Sequence, residues 1–282
     1  MPRRSLLFSP GDKPELLRKA PKTGADTVCL DLEDAVAPSR KAAGREAVAA
    51  VLSDPAFDPD CEVCLRVNPD TDTAAADLDA LDEDARLDAV MVPKVEAPAD
   101  VLAVTELLAE RSLDVPILAL CESAAGVLHA EAIAATDGVD ALAIGAEDLA
   151  ADIGATRTTE GTEVLHARQQ IVLAGATADI DVIDTIHTDI EDSEGLADET
   201  EFALELGYDG KMCIHPSQVA VVNDAFTPTG ERIAWARRII DAAGEASEAG
   251  SGVFRVDGEM VDAPLIAQAE RVRERARAAG VW

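Results

Sequence analysis

Basic residues are scarce in this chain. Of its 282 residues, 24 are Lys or Arg against 55 Asp or Glu, only six are lysines, and aromatic residues make up 3%. The formal net charge of −31 argues against binding nucleic acid, whose phosphate backbone is also negative. We interpret this composition as that of a halophilic, acidic proteome, because salt screens the repulsion between surface carboxylates. The alternative is an ordinary acidic enzyme.

Long apolar runs are absent as well. The N-terminus, "MPRRSLLFSPG", contains a three-residue apolar run, which is too short for a signal peptide, and no stretch approaches the length of a membrane span. We therefore expect a cytoplasmic protein without a membrane partner. The five cysteines are an odd number, and Cys61 and Cys64 form a lone C-x-x-C. We expect reduced, mostly buried thiols and no zinc site.

Short apolar runs alternate with stretches of helical periodicity, and hydrophobic residues make up 48% of the chain. This alternation predicts parallel strands joined by helical crossovers. The eight predicted strands lie at 5–11, 27–34, 62–68, 89–96, 116–123, 141–148, 181–187 and 210–216.

Eight such units within residues 1–225 predict an α/β fold, a closed (β/α)8 TIM barrel that forms the catalytic domain. A doubly wound open sheet is the alternative, but "FSPGDKPE" after the first strand lacks the expected glycine-rich phosphate fingerprint. Residues 226–282 are predicted as a C-terminal extension. It contains one helix, a flexible turn ending near residue 252, a hairpin closed by Asp257-Gly258 and a last helix at 264–279.

Nearly every predicted strand ends in polar or charged residues. In a barrel the carboxyl ends of the strands meet at one mouth, where active sites lie. We therefore expect a polar site there. The polar residues at these strand ends are Ser9, Asp31, Glu33, Asp34, Arg66, Asn68, Lys94, Glu96, Glu122, Glu147, Asp148, Asp184, His187 and His215.

Two of these acids, Glu122 in "LALCESAAG" and Asp148 in "ALAIGAED", directly follow apolar strands. An unpaired buried charge costs several kcal/mol, and a bound cation removes that cost. Oxygen ligands with room for water favour Mg²⁺, so we predict that both residues bind one divalent ion. The alternative for each acid is stabilisation by the N-terminus of the following helix. Lys94 is expected to pair with the acidic cluster.

Positive charge is concentrated at the N-terminus. Residues 1–22 contain six basic residues and two acidic ones, Asp12 and Glu15, giving +6 − 2 = +4. One interpretation is a set of surface ion pairs. The other is an anion site for a phosphate-rich ligand at the mouth beside the first strand.

The chain resembles the HpcH/HpaI aldolase/citrate lyase family, in particular its citrate lyase β-subunit-like branch with malyl-CoA and citramalyl-CoA lyases. The resemblance spans almost the whole chain. Its motifs are "RSLLFSPGDKPELLRKA", "DLEDAVAPSRKAAGREAV", "LRVN", "VPKVE", "CESAAG", "IGAEDLAADIG", "LGYDGKMCIHPSQV" and "FTPTGERIAWARRII". It implies a (β/α)8 barrel that forms homotrimers or hexamers, in which the C-terminal extension caps a neighbouring subunit.

The resemblance also implies site residues. Glu122 and Asp148 correspond to the family's ligands for Mg²⁺, or Mn²⁺, and Arg66 corresponds to its catalytic arginine. Asp262 corresponds to the family's late aspartate, an acid/base contributed to a neighbour's site. The remaining implied residues are the outer-shell acids Asp31, Glu33 and Asp34, and Lys13, Arg18, Lys19 and His215 near coenzyme A.

The implied reaction splits a 3-hydroxyacyl-CoA into an acyl-CoA and a 2-oxo acid, or runs in reverse. Arg66 would stabilise the enolate oxygen, and Asp262 would move a proton at the enolate carbon. The alternative roles are an ion pair with Asp31 or Glu33 for Arg66, and the N-cap of the last helix for Asp262. The alternative functions are malyl-CoA thioesterase or malate synthase-like hydrolysis, a CoA-free aldolase, and a citrate lyase β subunit that acts on an acyl carrier.

Overall fold

Eight parallel strands close into a barrel in the part of the chain from Arg3 to Asn223, because the first strand pairs with both the second and the eighth. The predicted (β/α)8 fold is confirmed. The computed structural model describes residues 2–82, 84–248 and 253–282. The strands are β1 Ser5–Pro10, β2 Thr27–Asp31, β3 Glu62–Arg66, β4 Ala89–Val92, β5 Ile117–Cys121, β6 Val139–Ile144, β7 Asp181–Asp184 and β8 Gly210–Cys213.

Helices follow the strands along the chain. Several predicted strands extended too far at their carboxyl ends; the run at 141–148, for example, divides into β6 and the first turn of the helix that follows it. No helix among the described residues combines the length and hydropathy that crossing a bilayer requires. The helices are α1 Pro14–Lys19, α2 Lys41–Leu52, α3 Thr71–Leu78, α4 Pro98–Glu110, α5 Ala124–Leu128, α6 Ala130–Ala134, α7 Ala146–Asp152, α8 Leu165–Ala178, α9 Ser193–Leu206 and α10 Pro216–Phe226.

Side chains alternate along each strand between the barrel interior and the surrounding helices. The interior is filled by buried apolar residues of modest size, including Cys29, Cys64, Leu120, Ile183 and Met212. All five cysteines of the chain are free, four of them buried, as predicted. The interior is therefore a packed core rather than a pore.

The residues from Asp224 to Trp282 belong to a second compact unit. It contains α11 Gly230–Glu248, a hairpin of β9 Phe254–Val256 and β10 Glu259–Val261, and α12 Ala263–Ala278. Asp257 and Gly258 both have positive φ, 50° and 89°, as a tight hairpin turn requires. A small apolar cluster that includes Ala236, Ile239 and Val261 packs this unit. The flexible turn that was predicted between the first helix and the hairpin, ending near residue 252, falls on residues 249–252, which lie outside the described residues.

Candidate active site

A pocket of about 340 Å³ opens at the carboxyl ends of the strands. Strand alternation explains its lining, because residues two positions beyond the core layer also face inward. Cys29 is thus followed by Asp31, Cys64 by Arg66, and Leu120 by Glu122. On the other strands the same step yields pocket residues Phe8, Gly145, Thr185 and Ile214. The pocket is therefore lined by both charged and apolar side chains.

Glu122 follows β5 and is 6% exposed. Its Oε1 accepts a hydrogen bond from the backbone N–H of Lys94 at 2.9 Å. Burial, together with the charges of Asp148 and Glu33, raises the pKa of Glu122 to about 8. Because α5 is capped instead by the Ser123 hydroxyl, the alternative of Glu122 as a helix N-terminal acid gains no support.

Asp148 lies in the first turn of α7 and lines the same pocket. Its position is also compatible with stabilisation by the helix N-terminus, the alternative expected from the sequence. Within the described ranges, neither Glu122 nor Asp148 forms an ion pair with a basic side chain. The two carboxylates therefore repel each other across the pocket, and a cation would relieve that repulsion.

The donor set fits Mg²⁺ rather than a fully protein-ligated metal. Among the described residues, no group of three or more His, Cys, Asp or Glu side chains is arranged as a metal site. Two carboxylates in an open pocket leave the remaining coordination positions to water or substrate oxygens. Mg²⁺ is commonly bound in this way, through one or two carboxylates with several waters retained.

Arg66 ends β3 and is held by Asp31. Its Nε donates to Asp31 Oδ1 at 2.8 Å and its Nη2 donates to Oδ2 at 2.6 Å. The guanidinium also lies 4.6 Å from the ring centroid of Phe8, and Nη1 is 3.3 Å from Glu33 Oε2. Burial alone would lower the pKa of Arg66. The carboxylates of Asp31 and Glu33 raise this pKa by more than burial lowers it, so the side chain stays charged. The ion pair expected as the alternative role for Arg66 is present.

The predicted outer-shell acids divide into two groups. Asp31 and Asp34 line the pocket. Glu33 is not a lining residue; its carboxylate accepts a hydrogen bond from Lys94 Nζ and also faces Arg66. Burial outweighs these two cations and raises the pKa of Glu33. The predicted pairing of Lys94 with the acidic cluster is confirmed.

The four residues expected near coenzyme A lie outside the pocket lining. Lys13 precedes α1 and is exposed, with Nζ 3.7 Å from Asp12 Oδ2. Lys19, also exposed, ends the same helix. Arg18 pairs with Asp54 at 2.7 Å. His215 follows the pocket residue Ile214, and its Nδ1 is 2.7 Å from Ser217 Oγ.

Two N-terminal arginines do not belong to an anion site at the mouth, and this part of the charge interpretation is wrong. Arg3 precedes β1 and is 6% exposed. Its guanidinium contacts Glu62, Asp140 and Asp181 at 2.7, 2.6 and 3.0 Å, near the first residues of β3, β6 and β7. Arg4 pairs with Asp26. Both arginines therefore lie at the amino end of the barrel, opposite the pocket.

Asp184 also differs from expectation. It ends β7 with the parity that faces the helices, so it does not line the pocket. It is fully buried and accepts hydrogen bonds from Arg168 of α8 and from Lys211 of β8. Despite burial, these two cations lower the pKa of Asp184. Its polarity marks an internal ion-pair cluster, which strand parity could have distinguished from the site.

Asp262 lies in the second unit, where it is exposed at the N-cap of α12. Its Oδ1 accepts a hydrogen bond from the backbone N–H of Leu265 at 3.3 Å. The capping role expected as the alternative is therefore present, and a cap can also act as an acid or base.

The sequence did not indicate that Gly145 and Thr185 belong to the pocket. It also did not indicate the apolar lining residues Phe8, Ile186 and Met212. The alternation rule that assigns Glu122 to the interior also assigns Phe8, Gly145, Thr185 and Met212 to it. The Lys94 N–H that holds Glu122 has no sequence signal, because any residue except proline carries that donor.

A closed (β/α)8 barrel with a polar pocket at the carboxyl ends of its strands is the architecture of TIM-barrel enzymes, whose active sites lie at that mouth. Within that class, the chain belongs to the HpcH/HpaI aldolase/citrate lyase family, whose sequence profile matches residues 4–216.

The matches to individual relatives extend over most of both chains. The chain is 40% identical over 272 residues to the citrate lyase subunit beta-like protein of Deinococcus radiodurans, covering 94% of each chain. It is 35% identical over 290 residues to the mitochondrial citramalyl-CoA lyase of Rattus norvegicus, covering 96% of this chain and 85% of the relative. The CitE protein of Mycobacterium tuberculosis, solved in complex with magnesium, acetoacetate and coenzyme A, superposes with a TM-score of 0.80 at 37% identity, covering 98% of each chain.

Proposed function

We propose that this protein is a Mg²⁺-dependent carbon–carbon lyase that acts on a 3-hydroxyacyl-CoA such as malyl-, methylmalyl- or citramalyl-CoA. The products would be an acyl-CoA and a 2-oxo acid. The observation that carries this proposal is the pair of pocket carboxylates, Glu122 and Asp148, without a basic ion-pair partner among the described residues. A pocket that raises the pKa of its own carboxyl group to about 8 is suited to a divalent cation.

The named relatives support both the metal and the carrier. A citramalyl-CoA lyase and a citrate lyase β-like protein are among them, and the CitE complex contains magnesium, coenzyme A and a small oxo acid. By this similarity we propose Mg²⁺, or Mn²⁺, as the cofactor and coenzyme A as part of the substrate.

Glu122 and Asp148 would hold the ion. Mg²⁺ when bound would supply Lewis-acid polarisation of the oxo-acid oxygens. Arg66 would donate to the thioester oxygen as negative charge develops there. Two of the five guanidinium N–H donors bind Asp31, which orients the group and leaves other donors for a substrate oxygen. The apolar side chains that line the pocket would exclude water from the reacting carbon.

The remaining roles stay predictions from the family resemblance. Asp262 would protonate the enolate carbon from a neighbouring subunit, with residues 226–282 capping that subunit's site in a cytoplasmic homotrimer or hexamer. Lys13, Arg18, Lys19 and His215 would contact the carrier. Mixing Asp262→Ala subunits with Arg66→Ala subunits tests the arrangement, because one site in the mixed oligomer would then be intact. Activity that stays at the level of the separate variants would contradict a role in trans.

The central experiment is product analysis with free CoA thioesters. The protein is incubated with Mg²⁺ and either malyl-CoA or citramalyl-CoA. Two pairs of products are measured: a 2-oxo acid and acetyl-CoA, or the free hydroxy acid and the CoA thiol. Cleavage predicts the first pair of products. The second pair would instead support the thioesterase alternative. A chelator and the Glu122→Ala variant are the controls, since both should stop either reaction.

A second candidate function is that of a citrate lyase β subunit acting on a carrier-bound substrate. It is favoured by the similarity of this chain to the citrate lyase subunit beta-like protein of Deinococcus radiodurans. Turnover of free CoA esters by the purified chain would exclude dependence on a carrier protein. Inactivity on every free ester, with Mg²⁺ binding intact, would favour the carrier-bound substrate.

A further inference from the structure

Glu122 lies so close to Gly145 that no side chain fits at position 145. A Cβ atom built there would lie 2.5 Å from Glu122 Oε2 and 2.7 Å from Glu122 Cβ, well inside van der Waals contact. The third nearest atom, at 3.4 Å, also belongs to Glu122. The space above Gly145 is therefore filled by this one carboxylate side chain.

Other reasons for a glycine are absent at this position. Gly145 has φ −97° and ψ 92°, a backbone conformation that any residue adopts. It is also the N-cap of α7, where Ser, Thr, Asp or Asn would cap the helix better than glycine. Neither conformational freedom nor capping accounts for the missing side chain. The approach of Glu122 does.

The backbone around Gly145 cannot simply move away. Its N–H donates to Cys121 O at 3.1 Å, the residue directly before Glu122, and its carbonyl accepts the first backbone bond of α7 from Leu149. On the other side, the Lys94 N–H donates to Glu122 Oε1. Lys94 makes this bond from a left-handed backbone, φ 54°, which is costly for a residue with a side chain. The segments that follow β4 and β6, the two strands beside β5, therefore both contribute to the position of the Glu122 carboxylate.

We propose that Gly145 is a positioning residue for the metal site: its bare Cα allows Glu122 to take the conformation in which its carboxylate faces the pocket. This inference rests on the proposed role of Glu122 as a metal ligand. Substitution of a residue that acts only through a metal ligand is expected to weaken metal affinity while the protein still folds.

The test is titration of the purified full chain with Mg²⁺ alone, and then with Mn²⁺ alone, by calorimetry. We expect Gly145→Ala to weaken the affinity by about 10–100-fold, the usual effect of disturbing a residue that orients a ligand. Gly145→Ser should weaken it as much, although serine is the better N-cap. Gly230→Ala is the matched control, because a Cβ there meets nothing within 4 Å and its φ is not positive. Unchanged affinity in folded Gly145→Ala would overturn the proposal.

A second pair of variants covers the case in which Gly145→Ala does not fold. Glu122→Gly removes every side-chain atom that the new Cβ would meet, so Glu122→Gly/Gly145→Ala should unfold at the same urea concentration as Glu122→Gly. A double variant that fails to fold, while Glu122→Gly folds, would overturn the proposal. Failure of the metal assignment itself is distinguishable, since wild type and Glu122→Ala would then bind Mg²⁺ equally well.

Discussion

The two ends of the barrel both carry clusters of charged side chains, but they differ in which acids contact a cation. There, Arg3 contacts the carboxylates of Glu62, Asp140 and Asp181 directly. At the carboxyl end the basic groups are already engaged, Arg66 by Asp31 and Lys94 by Glu33. Glu122 and Asp148 are left, among the described residues, without an ion-pair partner.

This difference separates a structural charge cluster from a functional one. Removing one partner of a buried, hydrogen-bonded ion pair is destabilising, but the intact pair needs no further ligand. Carboxylates without a cation partner in an open pocket destabilise the metal-free protein, and a cation that binds them stabilises it. Direct contact with a cation, rather than the number of charged residues, distinguishes the two clusters.

The largest expected effect comes from removing the surplus acids. Glu122→Ala or Asp148→Ala should lower Mg²⁺-dependent turnover by about 1,000-fold, since a catalytic metal supplies several kcal/mol of transition-state stabilisation. Steady-state kinetics with and without a chelator measures the effect. Glu131→Ala, an exposed acid of α6, is the control. Full activity in either site variant, or wild-type activity that survives the chelator, would remove the basis of the proposed chemistry.

Removing the arginine of the amino-end cluster should lower the free energy of unfolding and leave the pocket unchanged. Arg3→Met removes the cation that contacts the buried Glu62 carboxylate, and we expect a loss of about 3–5 kcal/mol in the free energy of unfolding. Urea denaturation measures this loss, while calorimetry should find the Mg²⁺ affinity of the folded variant unchanged. If Arg3→Met altered metal affinity instead, the two ends would not be independent.

Arg66→Lys tests the basic side of the pocket. We expect kcat to fall by about 100-fold, because an ammonium group cannot make the two bonds to Asp31 and still donate to a substrate oxygen. The dissociation constant for Mg²⁺ should change little, since Arg66 is not a predicted ligand. A variant that keeps wild-type kcat would limit Arg66 to its ion pair with Asp31.

The smallest effect concerns the stability of the metal-free protein. The pKa of Glu122 is about 8 in the folded chain against an ordinary 4.5, so the folded state keeps a proton that the unfolded chain loses. Stability relative to Glu122→Gln should therefore fall as pH rises above 4.5 and level off above about 8, by a few kcal/mol or less. Urea denaturation in chelator at pH 5, 7 and 9 measures the difference. A stability difference that stays the same from pH 5 to pH 9 would mean that the pKa of Glu122 is not raised in the folded chain.

Much of the fold was predictable because its signals are local. Runs of apolar residues at regular intervals specify strands, and eight of them with helical crossovers specify a barrel. The hairpin turn at Asp257-Gly258 and the last helix were predicted from turn and capping chemistry in the same way. Strand ends were predicted less well, because an apolar run such as 141–148 continues from β6 into α7 without a break.

The site was predictable only in part. Glu122, Asp148, Asp31, Asp34 and Arg66 line one pocket, as their positions after strands indicated. Asp184 also ends a strand but faces the helices, and Arg3 shares its stretch of sequence with Lys13 but lies at the other end of the barrel. Charge and position along the chain do not record which way a side chain faces.

By itself, the sequence determined the barrel and the family, and it identified the acids at the ends of the strands, because periodicity and motif order are properties of the chain. Only the tertiary structure decided which charges are already neutralised. Ion pairs such as Arg66–Asp31 and Arg168–Asp184 join different elements of the fold, and the N–H of Lys94 reaches Glu122 across 28 residues. Electrostatic energy depends on distance and burial, and both exist only once the chain is folded.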